Sequence, residues 1–175
     1  MRKPREGKVA VFIDGSNLYA TAKTLGVDVD YSKLPDYFGT PLRLFYYTAV
    51  RAEEEYSSIR PLLDYLHYNG YCVREKPVKT FIDNTGRTKI KGNMDIEIAV
   101  DMLEMAEVCD ELVLFSGDGD FRCLVDAVQR KGCHVTVVST IATQPPMIAD
   151  ELRRQTDTFL DLAHIIKDIG KRRAS

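Results

Sequence analysis

Residues 9–17, VAVFIDGSN, decide the fold. Val9, Ala10, Val11, Phe12 and Ile13 run without a polar break and stop abruptly on Asp14. A short run that is apolar at every position, not at alternate ones, is a strand covered on both faces. That is the pattern of a central parallel strand. It returns at 112–120, LVLFSGDGD, where a second apolar run breaks onto Ser116-Gly117-Asp118-Gly119-Asp120. Working outward, 42–50 (LRLFYYTAV), 71–73 and 135–138 (VTVV) supply the second, third and fifth strands, with 112–115 the fourth.

Helical patterns separate these runs. Residues 53–69 open with acids and stop at Gly70, and Pro61 inside them predicts a kink or restart. In 118–131, Phe121, Leu124, Val125 and Val128 fall at i, i+3, i+4 and i+7. Asp118 and Asp120 sit at the positive end, Arg130 and Lys131 at the negative end, and Gly132 closes the helix. Strand–helix alternation of this kind builds a mostly parallel sheet with helices on both faces. One segment breaks the rhythm: VKTFI-DNTG-RTKIK, 78–91, reads as a β-hairpin turning at Asp83-Asn84-Thr85-Gly86.

The chain has 175 residues, 24 Lys plus Arg against 26 Asp plus Glu, and a net charge of −2. At 45% hydrophobic and 29% charged it is globular, which leaves out disordered, collagen-like and coiled-coil classes. Near-neutrality excludes a binder that holds nucleic acid by bulk attraction alone. The expected organisation is one domain over 7–166, with 1–6 and 167–175 as loose ends. Cys72, Cys109, Cys123 and Cys133 form no close cluster and read as small buried thiols in a reducing cytosol. The apolar run at 9–13 is too short for a signal core or membrane span, so a cytoplasmic protein without membrane contact is expected.

In an open parallel sheet, ligands bind beyond the carboxyl ends of the strands. Asp14 follows the first strand, and Asp118 and Asp120 follow the fourth. Each alone could be a helix N-cap; three at one edge suggest a site. In the helix predicted over 94–108, Ile96, Ile98, Ala99, Met102, Leu103 and Ala106 form an apolar arc, with Glu97, Asp101 and Glu104 opposite. Asp95 falls inside the apolar arc near the helix start, where an unpaired carboxylate costs several kcal/mol. It is expected to point over the sheet edge toward the other aspartates. Carboxylates crowded together repel, and a divalent cation removes the conflict. Oxygen donors with no histidine nearby in sequence favour Mg²⁺ or Mn²⁺ over zinc. Just before Asp95, residues 74–91 carry six bases (Arg74, Lys76, Lys79, Arg87, Lys89, Lys91) against Glu75 and Asp83, a local charge of +4. Cations on a rim beside an acidic centre suit a phosphodiester. Lysines that merely shield an edge strand are the alternative.

VAVFIDGSNLY at 9–19, KGNMDIEIAVDML at 91–103 and LVLFSGDGDF at 112–121 together resemble the NYN domain of the PIN-like nuclease superfamily, in its bacterial LabA-like branch. The resemblance spans about 7–139, and TDTFLDLAHII at 156–166 is similar to the branch's usual ending. It implies a three-layer α/β/α sandwich with a five-stranded sheet ordered 3-2-1-4-5, plus the hairpin. It also implies a metal site at Asp14, Asp95, Asp118 and Asp120, with Asn17 and Ser116 orienting water or phosphate. Asp101 matches a commonly acidic position and is a further candidate metal ligand, although the helical wheel puts it on the outer arc. The implied activity is metal-dependent hydrolysis of RNA, expected to be single-stranded, leaving a 5′-phosphate. Lys91, Lys89 and Arg87 are the expected phosphate contacts, by the residue reading alone. The rival reading is a non-catalytic RNA- or protein-binding regulatory protein on the same fold, with self-association into a homodimer left open. Receiver-like and phosphohydrolase domains also use strand-end aspartates, but expect D-x-D-x-T or a lysine after the last strand, and neither is present.

Overall fold

The computed structural model describes residues 6–50 and 55–171, with side chains from 58 in the second stretch. Six strands form one parallel sheet: β1 (Val9–Asp14), β2 (Arg43–Val50), β3 (Tyr71–Pro77), then β6 (Glu111–Phe115), β7 (His134–Ser139) and β8 (Thr158–Asp161). Between β3 and β6, β4 (Lys79–Ile82) and β5 (Thr88–Lys91) make a separate antiparallel pair. The order across the sheet is β3-β2-β1-β6-β7-β8.

The expected order thus holds for five strands, and β8 adds a sixth beside β7. The four residues TFLD, three of them half-buried, carry little strand signal of their own. Their state comes from pairing Phe159 with Val137 and Leu160 with Val138.

Continuous apolar strands demand cover on both sides, and the helices supply it. One face, with Ala10, Phe12, Phe45, Leu112, Leu114 and Val137, packs under α4 (Asp95–Met105), α5 (Arg122–Arg130) and α6 (Asp150–Gln155). The other, with Val11, Ile13, Leu44, Val113 and Phe115, packs under α1 (Gly15–Leu25), α2 (Leu34–Tyr37), α3 (Glu55–Tyr68) and α7 (Leu162–Ile169). Phe12 stacks on Phe45 with ring centres 5.0 Å apart.

Three local expectations change. The restart expected at Pro61 does not occur: helix α3 continues through it, with Pro61 on its exposed side while Leu63 and Leu66 face the core. A proline there forfeits a hydrogen bond whose carbonyl water can satisfy; the start of the expected helix, 53–54, lies outside the described residues. The helix expected from 118 begins as a 3-10 turn, Gly119–Phe121, before α5. Residues 167–171, expected to be loose, are packed: Ile169 is fully buried and Gly170 bridges to Val29. The other expected loose residues, except Glu6, lie outside the described residues.

Candidate metal centre

The chain reverses its direction of growth across the sheet between β1 and β6. Helix α1 leaves β1 toward one face and α5 leaves β6 toward the other, so a crevice opens at the carboxyl ends of these two strands. Register pairs Ile13 with Phe115, which sets Asp14 beside Ser116. The Ser116 hydroxyl donates to Asp14 Oδ2 at 3.1 Å and accepts from the Asp118 N–H at 3.3 Å. Asn17, from the first turn of α1, accepts from the Gly117 N–H through Oδ1 at 3.0 Å. Asp118 Oδ1 accepts from the Asp120 N–H at 2.9 Å, capping the short turn. A Cβ on Gly117 would lie 2.1 Å from the Met147 carbonyl oxygen, so only glycine lets the 140–149 loop close against the site.

Helix α4 brings in its first residue, Asp95. Carboxylate oxygens of Asp95, Asp118 and Asp120 lie within 4.8 Å of one another, the one such group among the described residues. Burial raises the Asp95 carboxyl above its ordinary value, and the charges of Asp118 and Asp120 raise it further, against Lys76. Asp14 stands next to this trio. Burial lifts its carboxyl to about 6; the bonds from Ser116 and Asn17 oppose the rise, and the charges of Asp95 and Asp118 add to it.

The donor set is oxygen only, compact and self-repelling, at the mouth of a crevice. It fits a hard divalent cation such as Mg²⁺ or Mn²⁺, and the raised carboxyls are what such a cation relieves.

Asp101 has a different place. It is 9% exposed, not on an outer arc, because α4 is rotated so that Ile98, Met102 and Asp101 face the sheet while Ile96 is 75% exposed. Its Oδ2 accepts from Tyr47 Oη at 2.8 Å and from Arg74 Nε at 3.2 Å. It lies outside the acidic trio and ties α4 to β2 and β3.

The basic stretch also divides. Arg74 and Lys76 belong to β3, not to the hairpin; Arg74 pairs with Asp101, and Lys76 Nζ meets Glu97 Oε1 at 2.8 Å. Both hold α4 down. Lys89 Nζ sits 3.6 Å from Asp83 Oδ2 in the turn, while Lys79, Arg87 and Lys91 make no ion pair among the described residues. Tyr47 and Glu97 had no signal in the sequence: their roles exist only where β2, β3 and α4 meet.

Residues 8–163 match the model of the NYN domain family. The chain belongs to the NYN-domain family. It is 37% identical over 174 residues to Low amplitude and bright protein LabA of Synechococcus elongatus, covering 95% of this chain and 90% of that protein. Its fold matches the crystal structure of a protein of unknown function from Vibrio parahaemolyticus with a TM-score of 0.74 and 26% identity, covering 98% of this chain and all of that one. NYN domains are generally nucleases, and the family usually uses a divalent metal. In this NYN domain the acids expected from the resemblance meet at one sheet edge, Asp14 as neighbour to the trio. No described helix is long and apolar enough to cross a membrane.

Proposed function

We propose that this NYN domain is a metal-dependent endoribonuclease that hydrolyses single-stranded RNA, leaving a 5′-phosphate and a 3′-hydroxyl. The observation that carries the reading is the convergence of Asp95, Asp118 and Asp120 within 4.8 Å beside Asp14, at the crevice between β1 and β6. Asp95, Asp118 and Asp120 would hold one or two Mg²⁺ or Mn²⁺ ions, with Asp14 completing the set. When bound, the cation supplies charge stabilisation at the phosphate and lowers the pKa of water. The chain's own groups do the rest. Ser116 orients Asp14 and receives the Asp118 amide, so the two strand ends keep their spacing. Asn17 pins the Gly117 backbone and keeps the floor of the crevice rigid. Lys91, Lys89 and Arg87 offer charge to the phosphates that flank the scissile one.

Cleavage of a labelled single-stranded RNA in Mn²⁺, wild type against Asp118→Asn, tests this. Activity is expected to fall by at least a hundredfold in the variant. Equal cutting by both proteins assigns the activity to a contaminant. Firm Mn²⁺ and RNA binding by the wild type with no cleavage overturns the catalytic reading in favour of a binding protein.

A further inference from the structure

The hairpin formed by β4 and β5 leaves the sheet at the carboxyl end of β3 and returns, through residues 92–94, directly into Asp95. It therefore projects from the sheet edge that bears the acids, and Lys91 is within about 14 Å of chain from Asp95. Its register sorts its residues by face. Lys79 pairs with Lys91 and Phe81 with Lys89, while Thr80 pairs with Ile90 and Ile82 with Thr88. Alternation then puts Lys79, Phe81, Lys89 and Lys91 on one face, and Thr80, Ile82, Thr88 and Ile90 on the other. All eight are exposed, Phe81 by 47%.

This sorting is more than edge protection requires. Lysines that blunt a strand edge serve equally on either face, yet every lysine of this ribbon stands on the face of its single aromatic ring. Like charges directly opposite, as at Lys79 and Lys91, weaken a hairpin. The turn is held independently: Asp83 Oδ1 accepts from the Thr85 N–H at 2.9 Å and the Arg87 N–H at 3.0 Å. Residues 78–91 carry Lys79, Arg87, Lys89 and Lys91 against Asp83 alone, a local +3. The ribbon thus keeps concentrated positive charge around an exposed ring.

We propose that the Lys79–Phe81–Lys89–Lys91 face is a binding platform for single-stranded nucleic acid, in which one unpaired base stacks on Phe81 and the adjoining phosphates lie along the three ammonium groups. A flat ring flanked by cations matches the alternation of base and phosphate along a single strand. A duplex, whose bases are already stacked, cannot cover the ring. The platform rests on the nuclease reading for its purpose, since it would deliver the strand to the acids that follow Lys91, but its binding needs no metal. The isoleucine face takes no part.

The test is binding of a fluorescein-labelled oligouridine to the full chain in EDTA, by anisotropy, across a salt series. Phe81→Ala is expected to weaken binding about tenfold or more, and Phe81→Trp to restore it. Lys79→Ala is expected to lower the slope of log affinity against log salt by about 0.7. Ile82→Thr with Ile90→Thr, which keeps the strand propensity of the opposite face, is expected to bind as wild type does. A duplex of equal length is expected to bind at least tenfold more weakly. The proposal is overturned if Phe81→Ala binds like wild type, if the isoleucine variant loses as much, or if the wild type ignores the oligomer. It is also overturned if Phe81→Ala changes self-association on a sizing column and leaves RNA affinity intact. Cleavage in Mn²⁺ is read separately: cutting that survives with unchanged binding in Phe81→Ala sinks the platform alone, and Phe81-dependent binding without any cutting sinks the nuclease alone.

Discussion

Asp14 sits where burial and charge conflict. Its carboxyl, closed in at the end of β1, titrates at about 6, far above an exposed aspartate. The folded chain therefore holds that proton more tightly than the unfolded chain does. The resulting stabilisation is present below about pH 4 and is lost as the pH rises through 6. Without metal at pH 7.5 the protein thus carries an ionised carboxylate at a site that disfavours it. Asp14→Asn keeps an acceptor for the Ser116 hydroxyl and removes the charge. Urea unfolding in EDTA should show the variant more stable than wild type by about 1–3 kcal/mol at pH 7.5, and nearly equal at pH 4. A variant less stable at pH 7.5 contradicts the assignment. The same proton competes with a cation, so Mn²⁺ affinity of the wild type should decline as the pH falls below 6.

At the scale of the element, α4 matters most, because its first residue is a site acid. Ile98 and Met102 pack it on the sheet, and polar contacts add to that grip: Asp101 to Tyr47 and Arg74, and Glu97 to Lys76. Burial pushes the Tyr47 hydroxyl well above the usual phenol range, and its bond to Asp101 adds to the rise, so it remains a donor at any working pH. Tyr47→Phe leaves a buried carboxylate short of a partner. That should cost about 1–3 kcal/mol, seen as a lower urea midpoint at unchanged slope. Arg74→Ala should cost less, since the Arg74 side chain is half exposed and its pair with Asp101 is screened. The reverse ranking would mean that the ion pair, not the phenol, anchors the helix. The apolar periodicity of 94–108 revealed that a helix exists but not which side faces in. Ile96 and Val100 are apolar and exposed, and Asp101 is charged and buried. Hydrophobicity along one helix cannot register a tyrosine and an arginine waiting on two other strands.

For the whole molecule, the last strand and helix close the structure. β8 covers the edge of β7, and Leu162, Ile165 and Ile169 of α7 fill the core beside α2. The Asp161 carboxylate accepts from Thr140 Oγ1 at 2.6 Å and from the Ala163 N–H at 2.9 Å, so it ties the end of β7 to the start of α7. Ending the chain after Asp157 removes all of this and leaves β7 an exposed edge. The shortened protein is expected to lose its cooperative thermal transition and to aggregate on a sizing column. A sharp transition in a monomeric truncated chain would show the tail to be an appendage. The net charge of −2 also takes its meaning at this scale. Acids collect at the crevice and bases on one face of the hairpin, a separation that the total conceals.

What the sequence determined by itself is local. Unbroken apolar runs such as 9–13 and 112–115 specify strands covered on both faces, and parallel strands deliver the residues that follow them to one edge. For that reason Asp14, Asp118 and Asp120 were legible as neighbours, with Asp95 from the helix beside them. The antiparallel hairpin was legible from another local signal, the turn residues Asp83-Asn84-Thr85-Gly86 between two short β-type runs. What the tertiary structure alone decided depends on partners distant in the chain. It made TFLD a sixth strand, buried Asp101 against Tyr47, and took Arg74 and Lys76 into the docking of α4. It also set Asp14 beside the trio and not within it. Hydrogen bonds and ion pairs act over a few ångströms, so their partners are known only once the sheet has brought them together.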